Sequence, residues 1–199
     1  MTSNHGASGF TKVYEQVLTF AGLGNKGSKR ASERFLGSGS GETLYDVISE
    51  IPSLARFKGI VDGSPSMVAR LKDPHETLTL FACTNSGIYN LNNLGATMEA
   101  VKSISRDELV AYQIIPQVIK TSDMKYGHYY VQTLQGERLK INGMGIAYPK
   151  IGSRHMATSV GTTANYEADL IRGDIKCSNG VLHVITNMLI PESAMSIAM

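Results

Sequence analysis

Very little of this sequence is cysteine, net charge or unbroken apolar chain, and each shortage closes off a class of protein. Of 199 residues only Cys83 and Cys177 are cysteines. That is too few for the disulfide framework of a small stapled domain, and neither sits at a recognisable metal-ligand spacing. A chain of this length buries a core without a staple, so two free thiols are expected, with a single bridge as the alternative. The formal net charge is only +2, which leaves no dense basic footprint for nucleic acid. No run approaches the roughly 18 apolar residues that suggest a transmembrane segment. Val17 to Leu23 comes nearest to a signal-peptide core, but Glu15 and Gln16 interrupt it and no basic region precedes it. The expectation is a chain numbered from after a removed leader, or one that does not use that route. Asn-x-Ser/Thr acceptors are absent, which disfavours a glycosylated animal cell-surface protein. Nothing after Pro191 has the pattern of a lipid-anchor tail.

What is present is an ordinary globular composition, 42% hydrophobic and 18% charged, enough for one domain and some tail. Residues 1 to 41 read as an arm, with a helical spacing over Phe10 to Phe20 and a flexible linker at Gly37-Ser-Gly-Ser-Gly41. The basic cluster Lys26, Lys29, Arg30 and Arg34 in that arm reads as a solvated tail. The domain proper is expected over residues 42–192, with 193–199 as a C-terminal tail.

Within the domain, Leu44, Val47, Ile48 and Ile51 trace one helical face, and Pro52 opens a second helix carrying Leu54, Phe57, Ile60 and Val61. Met67, Val68 and Leu71 suit a third. Thr77 to Ala82 alternates as a strand, and Thr84-Asn85 supplies capping chemistry for the segment after it. Ser105-Arg-Asp-Glu108 is a capping box for a helix through Gln113. Tyr129 to Ile141 reads as a ribbon turning at Gln135-Gly136, with Tyr130, Leu134, Leu139 and Ile141 on one side. Arg154 to Tyr166 reads as a long loop. Asn179-Gly180 is a strong hairpin signal, and a two-residue turn there sets Cys177 opposite Leu182 and Ile175 opposite Val184. The other side pairs Ser178 with Val181, Lys176 with His183 and Asp174 with Ile185. Helices early and hairpins late make the fold class α+β.

Catalytic chemistry finds little support. Gly22-x-Gly24-x-x-Gly27 lacks the βαβ context of a dinucleotide site, and Gly37-x-Ser-x-Gly41 lacks the strand that precedes a nucleophile elbow. Asp107 and Glu108 are adjacent, so a helix points them about 100° apart and they serve its start. His183 reads as a structural histidine near the sheet surface, because no second ligand falls at metal spacing. His5, His75, His128 and His155 are scattered through turns. No catalytic residue, metal or cofactor is expected. Arg172-Gly173-Asp174 could present a guanidinium and a carboxylate to integrin-type receptors, although Asp174 falls where the last ribbon begins.

Four blocks share an order with one known family. Thr43-Leu-Tyr-Asp-Val-Ile resembles the opening helix of fasciclin I-type domains, and Leu78-Thr-Leu-Phe-Ala-Cys-Thr-Asn85 the first signature strand. Leu109-Val-Ala-Tyr-Gln-Ile-Ile-Pro116 resembles the central Tyr-His block. Ser178 to Pro191, with its Asn-Gly turn, apolar-His-apolar strand and Leu-x-Pro, resembles the closing block. The resemblance spans Glu42 to Pro191, about three-quarters of the chain. Cys83 stands where the family usually has Pro, and Gln113 where it has His, which puts that block's polar contacts in question.

The resemblance implies a fasciclin-like wedge of β-strands packed with short helices, and a non-enzymatic protein-binding module of cell-surface or matrix adhesion. Its partner would be a receptor, a matrix component or an assembly neighbour, in an extracellular, cell-surface, periplasmic or organelle-lumen setting. By position it carries partner contact to Tyr112, Ile114, Ile115 and Pro116. The alternative is an accessory subunit docked on a larger assembly through the arm.

Overall fold

The computed structural model describes residues 41–92, 101–124, 127–144, 147–153 and 167–197. The expectations for the arm, its helix and glycine motifs, and the loop over 154–166 lie outside those residues.

Helices come first. α1 (Leu44–Glu50) opens on a capping box in which Thr43 Oγ1 accepts from the Asp46 N–H at 3.3 Å and Asp46 Oδ2 accepts from the Thr43 N–H at 2.9 Å. A 3₁₀ turn (Pro52–Leu54) leads into α2 (Ala55–Asp62), and α3 (Pro65–Lys72) starts on a proline whose missing N–H costs nothing there. Leu44, Ile48, Ile51, Leu54, Phe57, Val61 and Leu71 are all buried, so the helical spacing in the sequence marks the faces turned to the core. After β1 (Leu78–Cys83) come α4 (Asn85–Asn92) and α5 (Arg106–Ala111). Ser105 and Glu108 form the expected capping box of α5, which ends at Ala111, short of Gln113. Asp107 reaches back to α3, accepting from Ser66 Oγ at 2.8 Å and from Ser64 Oγ.

The sheet follows: β2 (Ile114–Ile115), β3 (Gly127–Gln132), β4 (Arg138–Met144), β5 (Ala147–Ser153), β6 (Glu167–Cys177) and β7 (Gly180–Ile185), then a last helix α6 (Glu192–Ile197). With β1 they form one seven-stranded sheet in the order β2-β1-β7-β6-β5-β4-β3. All neighbours are antiparallel except β1 and β7, which run parallel from Leu78 beside Gly180 to Cys83 beside Ile185. The first strand and the closing strand are thus direct neighbours, second and third from the β2 edge of the sheet.

Burial and register correct several expectations. β1, the strand expected from residues 77–82, is buried on both faces along all six of its residues. β7 is buried along five of six residues, so the final ribbon has no mixed face there, and His183 is fully buried rather than near the surface. The ribbon turns at Ser178-Asn179, with Cys177 beside Gly180 and Ile175 beside Leu182. Positive φ falls on Gly180 (148°). A two-residue shift keeps side chains on their faces, so Ile175, Cys177 and Leu182 still share one.

In the β3–β4 ribbon the shift is odd. Val131 pairs with Leu139 and Tyr130 with Lys140, because the loop closes through the Thr133 N–H on the Glu137 carbonyl (3.0 Å) and positive φ at Gly136. An odd slip turns one strand over. Val131 is consequently buried and Tyr130 is 44% exposed, the reverse of the expectation. The expected C-terminal tail is also helical, with Ala194 buried and the Glu192 and Ser193 N–H groups donating to Glu137 Oε2 and Oε1 at 2.8 and 3.2 Å.

Candidate functional site

Two groups of residues stand out from the sequence for partner contact, one at 112–116 and one at 172–174. Tyr112, Ile114 and Ile115 have no exposed surface, while Pro116 is exposed. The first three therefore cannot touch a partner in this fold. β2 pairs with β1 at Thr79 and Leu80, and that pairing pulls the branched side chains into the core. Gln113 is buried beside them. Its Nε2 donates to the carbonyls of Leu109 (3.0 Å) and Leu189 (2.7 Å), and its Oε1 accepts from the Leu189 N–H (3.2 Å). The carboxamide replaces an imidazole by pairing with backbone on both sides.

Beyond Pro116 the chain crosses the sheet as a strap over residues 117–121. Thr79 Oγ1 on β1 donates to the Gln117 carbonyl at 2.6 Å and accepts from the Ile119 N–H at 2.8 Å. His183 on β7 meets the Ile119 carbonyl through Nε2 at 2.7 Å. Asp174 on β6 accepts the Thr121 N–H at 2.9 Å and the Thr121 hydroxyl as well. Three strands each supply one side chain to hold one strap. None of Thr79, Thr121 or His183 announces this in the sequence, because their meeting depends on the strand order.

The tripeptide Arg172-Gly173-Asp174 lies inside β6. Arg172 pairs with Val184 and Ile175 with Leu182, so Gly173 and Asp174 together oppose His183 in a bulge. Asp174 adopts a positive φ of 59°, a conformation that a short polar residue tolerates. Its N–H donates to His183 Nδ1 at 3.3 Å. A Cβ on Gly173 would sit 2.3 Å from Thr121 Cγ2, so only glycine lets the strap approach. The expectation of a receptor-presented carboxylate meets a carboxylate already bonded to Thr121. The two candidate groups are nonetheless joined, since the strap that leaves Pro116 ends at Asp174.

The ring of His183 stacks on Phe81, centroids 5.3 Å apart. Its partners define the neutral tautomer that carries hydrogen on Nε2. Burial, which strips solvent from an imidazolium, holds its pKa below the usual histidine range, against the pull of the Ile119 carbonyl and the Asp174 charge. Burial also pushes both thiols up to about 12, far from the thiolate a nucleophile needs. Cys83 lies beside Ile185 and Cys177 beside Gly180, five positions apart along β7. That separation is about 17 Å, beyond the reach of a bridge between them. Among the described residues no cluster of three metal-ligating side chains occurs, and no helix is long and apolar enough to cross a membrane.

A sequence model described as "Fasciclin domain" matches residues 52–191. Human periostin is 26% identical over 156 residues, which cover 77% of this chain and 16% of periostin. A solved FAS1 domain pair from the insect cell adhesion molecule fasciclin I superposes with a TM-score of 0.58 at 15% identity, over 77% of this chain and 52% of that one. At that identity the likeness is one of fold. The chain thus spans about a sixth of periostin and about half of the insect domain pair.

Proposed function

This chain belongs to the fasciclin domain family, and from that premise we propose that it is a non-enzymatic module of cell-surface or matrix adhesion that binds another protein outside the cell. The observation that carries the reading is the anchored strap. Pro116, Gln117 and Val118 are exposed, Val118 to 37%, while the backbone beside them is held by Thr79 and His183. A surface held in place before contact loses less entropy when it binds. The contact residues are accordingly Pro116, Gln117 and Val118, with Arg172 on β6 kept as a separate candidate contact, and with Tyr112, Ile114, Ile115, Gly173 and Asp174 fixing the backbone that displays them. Both thiols are held protonated by burial and both ring nitrogens of His183 are hydrogen-bonded, which supports a reading of recognition at this face.

Cell attachment to immobilised protein tests this. Wild-type protein is expected to support attachment, and Val118→Asp to reduce it fivefold or more with an unchanged melting temperature. Failure of the wild type to hold any of a panel of cell lines would count decisively against adhesion. Competition by a soluble Arg-Gly-Asp peptide would move the contact from the strap to Arg172 and Asp174.

A further inference from the structure

His183 stands between two groups that require opposite behaviour from its ring. Nε2 donates to the Ile119 carbonyl at 2.7 Å, and Nδ1 accepts from the Asp174 N–H at 3.3 Å. Only the neutral ring does both. A proton on Nδ1 would place two N–H donors against each other at a ring that is itself fully buried. The same Asp174 carries the carboxylate that holds Thr121, so the residue disturbed by the ring is the one that fastens the strap. Its positive φ sits in the bulge opposite His183, where those bonds help hold it.

We propose that His183, Asp174 and the 117–121 strap form an acid-released latch, in which protonation of His183 detaches the strap at Thr121 while the β1–β7 pair stays folded. When Nδ1 gains hydrogen, the acceptor at hand is the Asp174 carboxylate. Turning it toward the ring takes it from the Thr121 N–H and hydroxyl. The Ile119 end keeps its bond, since Nε2 remains a donor in both states. The strap then pivots on Thr79 and Ile119 and frees its distal half, with Thr121 and Ser122.

The charged groups around the ring agree with this direction. β6 contributes Asp174 and, on the same face by register, exposed Lys176. The strap side contributes Lys120, whose N–H donates to Asp123 Oδ2 at 2.9 Å, and Asp123 itself. β1 presents Thr79, Phe81 and the Cys83 thiol, which burial keeps protonated. Of these, Asp174 is the charge that acts on the ring, and it favours the imidazolium. Burial opposes it and prevails, which places the switch below the ordinary histidine range. The latch does not depend on the adhesive reading.

The experiment is amide hydrogen exchange on the full chain by NMR at pH 7.5 and 5.0, with protection corrected for the intrinsic pH dependence. The Thr121 and Asp174 amides are expected to lose at least tenfold more protection than Leu80 and Leu182 in the sheet. In His183→Gln, whose carboxamide can donate to Ile119 and accept from Asp174 but cannot titrate, that excess should vanish. Equal loss at strap and sheet, or the same excess in the variant, overturns the latch. If the variant does not fold, the wild type decides: strap opening must follow the titration of the His183 ring signals, and a separation of more than one pH unit sinks the proposal.

Discussion

Gln113 and Leu189, 76 residues apart, exchange hydrogen bonds in both directions through one carboxamide: Nε2 donates to the Leu189 carbonyl at 2.7 Å and Oε1 accepts from its N–H at 3.2 Å. The side chain thereby acts as one more rung of backbone pairing between the segment after α5 and the segment after β7. Gln113→Ala should lower the unfolding free energy by about 3–5 kcal/mol, because two carbonyls and an N–H lose their buried partner. Gln113→His restores the family residue but offers one donor and one acceptor, so a smaller loss is expected. Urea denaturation of the two variants checks the order; equal stability of Gln113→Ala and wild type would show the pairing to be incidental.

The turn at Ser178-Asn179 is fastened by the side chain of Asn179, which is buried. Its Oδ1 accepts from the Leu44 N–H at 2.8 Å, and its Nδ2 donates to the carbonyls of Leu71 and Asp73, each at 2.9 Å. One amide thus ties the final ribbon to the start of α1 and the end of α3. Asn179→Asp removes both donors and sets a carboxylate against two carbonyls, so a loss of about 3 kcal/mol or more is expected by thermal or chemical denaturation. A variant as stable as the wild type would refute the role.

Gly180 and Gly136 make a matched pair of tests. Both have positive φ, 148° and 108°. A Cβ at Gly180 would lie 1.9 Å from the Leu78 carbonyl oxygen, whereas one at Gly136 meets nothing within 4 Å. Gly136→Ala should cost only backbone strain, about 1 kcal/mol. Gly180→Ala should cost at least about 3 kcal/mol and weaken the start of β1–β7 pairing. Similar melting temperatures for the two would contradict the close approach.

Both thiols should be silent toward a thiol reagent in the native protein. With pKa values pushed up to about 12, the thiolate fraction at pH 8 is about 10⁻⁴. Two equivalents should react promptly once denaturant is added, and the chain should run as a reduced monomer without reductant. Rapid native labelling of Cys83 would mean that β1 opens far more readily than its burial implies.

Stability should fall on mild acidification. The folded pKa of His183 lies below its unfolded value near 6.5. Its contribution is therefore complete above pH 6.5 and declines as the pH drops from there toward the folded value, because the unfolded chain takes up the proton first. The slope for one such group is at most about 1.4 kcal/mol per pH unit. Asp46, Asp62, Asp107 and Glu108 are held below their usual values chiefly by hydrogen bonds from Thr43, Lys58, Ser64 and Ser105 in turn. Their contributions persist down to the carboxylate range near pH 4 and disappear only below it. Denaturation midpoints between pH 7.5 and 4.5 should drop in the wild type and stay level in His183→Gln; parallel curves would remove His183 as the cause.

Much of the helical layer was readable from the chain alone. Periodicity at 44–51 and 54–61 marks the buried faces, Ser105 with Glu108 marks the start of α5, and Thr84 marks the start of α4. These are local signals, carried by residues within four positions of one another, where helix geometry leaves few alternatives. The hairpins were legible as elements but not in register, since one closes as a wider loop from Thr133 to Glu137 and the other turns at Asn179, whose side chain bonds residues far along the chain. Of the candidate site, Pro116 and Arg172 were found where they can be reached, and Tyr112, Ile114 and Ile115 were not.

By itself the sequence determined an α+β domain of the fasciclin type, with two unbridged cysteines expected and no support for catalysis. Tertiary structure decided what the polar residues of that domain do. Thr79, Asp174 and His183 become one clamp, and Gln113 and Asn179 become clasps, only after β1, β7 and β6 lie side by side. The physical reason is that a buried polar group takes its role from the partner that satisfies it, and here each partner is supplied by a strand or segment distant along the chain.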